Sequence, residues 1–385
     1  MSESTDVLVA GGGTVGLAAA AALSQQGFSV TLIERSAAPP HPANGKMDSR
    51  VYALSPASIR LLDSLGVWTS ITAVRQTPYH AMQVWRDEPA QALRFAARPG
   101  EALGSIVEHG LLNASLWNQS GAWQRLSGAT IHEVACDDDG ARVVLADGRS
   151  LSAKLLVVAD GPDSPLRQQL GLESVGWGYE QQALVAHITT ENPHGGVARQ
   201  RFLPTGPLAL LPLTDGRSSI VWSVNRALAT ELLTLDGAGF ALRLATASQG
   251  VLGSITALTP RRSFPLRLQH LPQTVTAGAV VIGDAAHVIH PLAGQGVNLG
   301  LADAQVLAET LTEARRAGRG WWRLRTLQAY ARSRRPQTIE MLAMTDALAR
   351  GFTGPEVLAR GLGVGLELLD RAGPIKQWLA GQASR

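Results

Sequence analysis

The run from Gly283 to Asn298 places a carboxylate (Asp284), two histidines (His287, His290) and two bare glycine backbones (Gly294, Gly296) between an apolar stretch and a helix-forming stretch. The apolar stretch, Gly278-Ala-Val-Val-Ile282, predicts a short buried strand. Asp284 then falls just past its carboxyl end, where ligands of open α/β sheets lie. Gly294 and Gly296 let a flat ligand press against backbone. The helix predicted from about Val297 to Ala317 aims free N–H groups and its positive end at that ligand. The chemistry favoured is that of a flat ligand gaining negative charge during turnover, with Pro291, Gly294 and Gly296 lining it and Val297 and Asn298 beside it. Taken alone, the loop also reads as a plain strand–loop–helix connection. Spacing makes neither histidine a base, so no catalytic side chain is assigned.

The start of the chain carries a second cradle. Asp6-Val-Leu-Val-Ala10 reads as a buried strand, Gly11-Gly-Gly13-Thr-Val15-Gly16 as its turn, and Leu17–Gln25 as a helix ended by Gly27. Phe28–Ile33 is the next strand, closed by Glu34 and followed by Arg35. This is a dinucleotide fingerprint in its required context. Gly11 permits the turn, Gly13 admits a pyrophosphate, Gly16 allows close packing, and Glu34 can accept from an adenosine ribose. The fingerprint does not choose between NAD and FAD. It occurs once, and the flat-ligand loop lies far downstream, so one large dinucleotide held by both, FAD, fits better.

Between these cradles, Ser55 and Pro56 open a short helix that stops at Gly66. Arg50 can reach a cofactor phosphate or the flavin edge, although a lone arginine is more often in a surface ion pair. His109 and Asn113 lie at the start of a helix predicted over Leu111–Trp123, where they can face a pyrophosphate. Strands are expected over Thr130–Ala135, Ala141–Leu145, Ser150–Lys154 and Leu155–Ala159, with backbone at Val134 placed for an adenine. Asp160, beside Gly161 at the end of a buried strand, repeats the theme of Asp284, and Arg167 can hold a phosphate or pair with Asp163. From Tyr179 to about Leu268, strand-like runs recur around one helix, about Leu228–Thr246. They predict an antiparallel sheet over the cofactor, with Leu208, Leu210, Pro212 and Trp222 as lining or core.

The fold class expected is α/β (α+β): a Rossmann-like FAD-binding domain, an inserted antiparallel-sheet substrate domain and a helical C-terminal segment. The cofactor domain is expected over 1–72, 100–176 and 273–335. The substrate part is expected over 73–99 and 177–272, and C-terminal helices over 336–385. Among these, Met341–Arg350 and Val357–Leu369 look amphipathic, and Arg332–Arg335 reads as a solvated basic face. The net charge is +3 over 385 residues, too small to argue for nucleic acid. The single cysteine, Cys136, excludes an intramolecular disulfide framework and a Cys-based metal cluster, and no metal is expected. No signal peptide or spanning segment is read, which predicts a cytoplasmic protein. Peripheral contact at the inner membrane or with a partner complex, and homo-oligomerisation, stay open.

Gly11-x-Gly13-x-x-Gly16 with Glu34, Ala159-Asp160-Gly161-x-x-Ser164-x-x-Arg167, and Gly283-Asp284-Ala-Ala-His287 through Asn298 resemble the flavoprotein aromatic hydroxylases of the p-hydroxybenzoate hydroxylase type. Asp48-x-Arg50-x-x-Ala-Leu and His290-Pro-Leu-Ala-Gly-Gln-Gly-Val-Asn-Leu-Gly300 bring the resemblance closest to the ubiquinone-biosynthesis polyprenyl-phenol hydroxylases. It covers nearly the whole chain and departs slightly at Val158-Ala159-Asp160, where that family often has Gly-Ala-Asp. It implies that Glu34 holds the adenosine ribose, Asp284 the ribityl chain, and the backbone of Gly294–Asn298 the isoalloxazine. The acid of the Asp160-Gly161 motif is linked to both FAD and NAD(P)H. The implied activity is a monooxygenase that takes electrons from NAD(P)H and hydroxylates a phenolic, polyprenylated ring with O₂ through a flavin C4a-hydroperoxide. Rival readings are a hydroxylase of a small soluble aromatic, and a flavin-dependent reductase or an FAD-containing scaffold in a lipid-synthesis complex. Labelled O₂ separates hydroxylation from reduction, and phenol-stimulated NAD(P)H consumption separates enzyme from scaffold.

Overall fold

The computed structural model describes residues 3–39, 47–290 and 295–353. The chain opens with β1 (Glu3–Ala10), α1 (Thr14–Gln25) and β2 (Val30–Glu34). It continues through β3 (Val51–Leu54), α2 (Pro56–Ser64), α3 (Trp68–Val74), β4 (Thr77–Tyr79), β5 (Ala81–Trp85) and β6 (Leu93–Ala96). Then come β7 (Gly104–Glu108), α4 (His109–Trp117), β8 (Gln124–Ser127), β9 (Ile131–Cys136), β10 (Ala141–Leu145), β11 (Ser150–Val158) and α5 (Pro165–Gln169). The middle holds β12 (Val175–Thr190), β13 (Val197–Leu203), β14 (Gly206–Pro212), β15 (Ser218–Asn225), α6 (Arg226–Thr234) and α7 (Gly237–Ser248). Last are β16 (Ile255–Leu258), β17 (Arg262–His270), β18 (Val275–Thr276), β19 (Ala279–Val281), β20 (His287–Val288), α8 (Gln295–Arg316) and α9 (Leu324–Thr353).

The first sheet runs β18-β19-β11-β1-β2-β8, and β10 pairs β11 and β9. Its centre is parallel: β1 lies between β2 and β11, and β11 is paired with β19. Val7, Val9, Leu155 and Val157 are fully buried on one face, against the alanine run of α1 and Leu301, Ala304 and Leu307 of α8. Leu8, Leu156 and Val158 bury the other face. A parallel sheet covered on both faces needs such continuous apolar strands.

The second sheet runs β20-β17-β12-β15-β14-β13-β5-β6 with β16 beside β12. Its pairs are antiparallel except β13 with β5, which are parallel. The β5–β6 hairpin thus joins the sheet as a crossover edge, which corrects the wholly antiparallel expectation. A third, three-stranded sheet, β3-β7-β4, was not anticipated.

Several boundaries differ from those expected. The strands expected over 150–154 and 155–159 are one, because β1 pairs along Leu151–Val158 without a break. The helix expected to reach Trp123 ends at Trp117, and β8 follows to pair with β2. The helix expected over 228–246 is two, because the Asp236 carboxylate accepts from Gly239 N at 2.7 Å and starts α7 afresh. The helix expected over 341–350 is part of a longer one, the thirty-residue α9, which tolerates Pro336. Val357–Leu369 lies outside the described residues. No helix among the described residues is long and apolar enough to cross a membrane.

Candidate functional site

The three motifs converge because their glycines leave no room for side chains. A Cβ on Gly11 (φ +109°) would lie 2.3 Å from the Ala159 carbonyl oxygen, so the fingerprint turn abuts the Ala159-Asp160 turn. Gly283 (φ +60°) and Gly300 both pack on Val15; a Cβ on either would come within 3.0 Å and 2.5 Å of that side chain. Val15 therefore keys the fingerprint to the Asp284 turn and to α8. A Cβ on Gly16 would lie 2.0 Å from the Gly11 carbonyl oxygen. Gly13 and Gly161, by contrast, face open space, with nothing within 4 Å of an added Cβ.

Glu34, at the end of β2, accepts from Gly12 N at 2.5 Å and Ser36 N at 2.7 Å. Arg35 is exposed beside it. Asp160 is half-buried, and neither carboxylate oxygen has a hydrogen-bond partner. Burial raises its pKa, and Ser164 draws it back in part. Asp284 is exposed to the cleft yet surrounded by protein, which raises its pKa against the pull of His287 and Arg50. Of these two acids at strand ends, Asp284 is the exposed one, while both carboxylate oxygens of Asp160 are shielded from solvent.

Arg167 does not pair with Asp163. Its Nη1 donates to the Ala285 carbonyl at 2.8 Å and the Pro162 carbonyl at 3.3 Å, stapling the Asp160 turn to the Asp284 turn. Asp163 pairs instead with Arg267 at 2.7 Å.

Behind the Asp284 turn lies an ion network that sequence reasoning missed. Asp303 of α8 accepts from Gly283 N at 3.1 Å, His287 Nε2 at 2.6 Å and Arg334 Nε at 2.7 Å. All three side chains are buried. Burial would lower the His287 pKa, but the charge and hydrogen bond of Asp303 outweigh it and leave it raised. Burial would raise Asp303, and His287 and Arg334 hold it low. The basic run at 332–335 is therefore not all solvated: Arg334 is a core cation that also donates to the Leu299 carbonyl.

His109 and Asn113 do reach the fingerprint. Thr14 Oγ1 donates to Asn113 Oδ1 at 2.5 Å, Asn113 Nδ2 lies 3.4 Å from His109 Nε2, and His109 Nδ1 meets Tyr52 Oη at 2.9 Å. Burial lowers His109 to about 4 and raises Tyr52 to about 12, so both are neutral at pH 7. Arg50 is exposed, its guanidinium 5.3 Å from the centre of the Tyr52 ring. Tyr52 gave no signal in the sequence, because nothing local marks a tyrosine as facing a cleft.

Asn298 is a fastener. Its Oδ1 accepts from Ser55 N at 2.9 Å and Ser58 Oγ at 2.7 Å, and its Nδ2 donates to the Ala53 carbonyl at 2.9 Å. Val297 is buried in the core of the first sheet, and a Cβ on Gly296 would lie 3.8 Å from Ile289, ordinary contact. The backbone N–H of Val134 donates to Gln169 Oε1 at 3.0 Å. Pro291 and Gly294 lie outside the described residues. His290 is fully buried and neutral, lowered by burial to about 4, with Nε2 3.3 Å from Gln181 Oε1.

The second sheet assigns its faces by register. Leu208, Leu210 and Trp222 point away from the cleft and pack with Phe240 and Leu244 of α7. These three are core. Leu211, on the alternate face, packs with Ala53 and Ile106 of the third sheet. That face is turned toward the start of α8, to which Ala53 is bonded through Asn298.

A pyrophosphate fits the open backbone at Gly13, and hydroxyl groups of a ribityl chain fit the exposed carboxylate of Asp284. The Rossmann-like sheet and the three loops meeting at Val15 define an FAD-binding flavoprotein. The model of the family described as FAD binding domain matches residues 4–345. The 3-demethoxyubiquinol 3-hydroxylase of Escherichia coli (strain K12) is 36% identical over 384 residues, covering 98% of this chain and 97% of that one. Ubiquinone hydroxylase UbiL of Rhodospirillum rubrum is 37% identical over 379 residues, 97% of this chain and 87% of that protein. The crystal structure of PqsL, a probable FAD-dependent monooxygenase from Pseudomonas aeruginosa, shares the fold with a TM-score of 0.76 at 24% identity, over 94% of this chain and 99% of that one. The chain belongs to the FAD-dependent hydroxylase family that includes these ubiquinone-biosynthesis enzymes.

Proposed function

We propose that this enzyme hydroxylates the ring of a polyprenylated phenol in ubiquinone biosynthesis, using FAD, NAD(P)H and O₂. The observation that carries the proposal is the keying of Val15 to both Gly283 and Gly300, with Gly11 against Ala159, which gathers three distant loops at one cleft. Bound FAD supplies the redox and oxygen chemistry. The chain supplies position and field. Gly13 and the start of α1 receive the pyrophosphate, Glu34 the ribose, and Asp284 the ribityl hydroxyls. The start of α8, a 22-residue helix, turns its positive end toward the site of developing negative charge. The Leu211 face of the second sheet excludes water over the reacting ring. NAD(P)H has no second fingerprint to bind and docks transiently at the surface. The first relatives' names, which specify ubiquinone or its precursor, support the substrate class.

The test is turnover with NAD(P)H under ¹⁸O₂ against a panel of phenols with and without prenyl chains. The expected outcome is phenol-stimulated NAD(P)H consumption and one labelled oxygen in the product, strongest with prenylated phenols. NAD(P)H consumption indifferent to every phenol, or product without label, would overturn the proposal.

A further inference from the structure

A cavity of about 350 Å³ lies on the far side of the Asp284 turn, between the β17–β18 connection and α9. That volume is within the range of small-molecule sites. Its floor is the buried network of His287, Asp303 and Arg334 with Tyr330. Its wall is the segment from His270 to Thr276, and its mouth carries Arg332 and Arg335 on the exposed side of α9.

The charge of this lining is one-sided. Three arginines and two histidines face one carboxylate, Asp303. That carboxylate is consumed by His287, Arg334 and Gly283 N. Arg332 and Arg335 make no ion pair among the described residues. His270 adds a ring nitrogen, Nδ1, that is buried and without a partner. Adjacent free cations repel one another, and a recess that collects them without a counter-charge is matched to an anion. Arginine forks and neutral donors such as Thr274 and Gln328 suit phosphate oxygens. The floor is buried, which suits a soluble ligand better than a headgroup held in a bilayer.

We propose that this cavity is a binding site for a small soluble phosphate-bearing anion, separate from the cofactor cleft and backed onto it through His287. Arg335 and Arg332 hold the anion at the mouth, and His270 orients it from the wall. The site does not depend on the hydroxylase reading, and its test uses binding alone.

The experiment is calorimetric titration of the FAD-loaded full chain with inorganic pyrophosphate at low ionic strength. One saturable site is expected. Arg335→Ala should weaken it about tenfold, and Arg332→Ala with Arg335→Ala by about a hundredfold, one charge-assisted contact being lost at each position. Arg94→Ala, exposed on the β6 strand, should leave the affinity unchanged. No saturable heat, or equal affinity in the double variant, overturns the proposal. So does sedimentation with phosphatidylglycerol vesicles that the double variant loses while pyrophosphate gives no heat, since the ligand would then be a lipid headgroup. FAD retention and phenol-stimulated turnover in the same preparations report on the hydroxylase reading independently.

Discussion

In the proposed function cofactor retention rests most directly on Asp284, whose exposed carboxylate makes no hydrogen bond among the described residues. Asp284→Ala removes two or three charge-assisted bonds, each worth about 1.5–3 kcal/mol, so FAD should bind at least a hundredfold more weakly. The ratio of flavin to protein absorbance after gel filtration measures this; a fully yellow variant would refute the role. Asp303 should behave differently. Asp303→Asn leaves Arg334 and His287 buried without their counter-charge and should cost about 3–5 kcal/mol of stability, read by urea unfolding. The pH dependence follows from the shifts. The folded Asp303 pKa is lowered, so its contribution is complete above the unfolded carboxylate value of about 4 and fades as pH falls through the folded value. The folded His287 pKa is raised, so its contribution is complete below about 6.5 and fades as pH rises through the folded value. Melting temperature against pH should therefore fall on both sides of that window in the native chain and flatten in Asp303→Asn. The sequence revealed Asp284, because a strand end and a glycine turn are local. It hid Asp303 and Arg334, because a carboxylate in the middle of one helix and an arginine in another declare their pairing only when the helices meet.

At the scale of elements, α1 and α8 meet through Val15 and Gly300, and the fit is close enough to test. Gly300→Ala drives a methyl to within 2.5 Å of a Val15 methyl, an overpacking that should cost about 1–3 kcal/mol. Val15→Ala in the same chain should restore most of it, and thermal melts of the single and double variants measure the coupling. Failure of the second change to rescue the first would mean that Gly300 serves backbone approach to the cofactor and not helix packing. Element types were largely legible: the alternation of β14 and β15 and the alanine run of α1 follow from period and propensity. Which face of β14 meets the cleft was not. A period of two offers Leu208 and Leu210 or Ala209 and Leu211 equally, and only the packing of α7 on the first pair decides it. The third sheet was illegible because β4 has three residues and β3 has four, too few to show a period.

The whole molecule explains why one fingerprint suffices. In the proposed function the adenosine end lies at the tip of β1 and the other end at the turn after β19 and the start of α8, so that the two cradles are halves of one cofactor site. The parallel core is also assembled from both ends of the chain. The β1 strand, at residue 3, pairs with β11, and β11 with β19, whose last residue is Val281. Pairings this distant in sequence form slowly. During synthesis the nascent chain therefore carries an incomplete sheet, with one flank of β11 unzipped, until the ribosome has passed Val281, and the flavin can be captured only afterwards. The growing polypeptide is most exposed to aggregation in that interval.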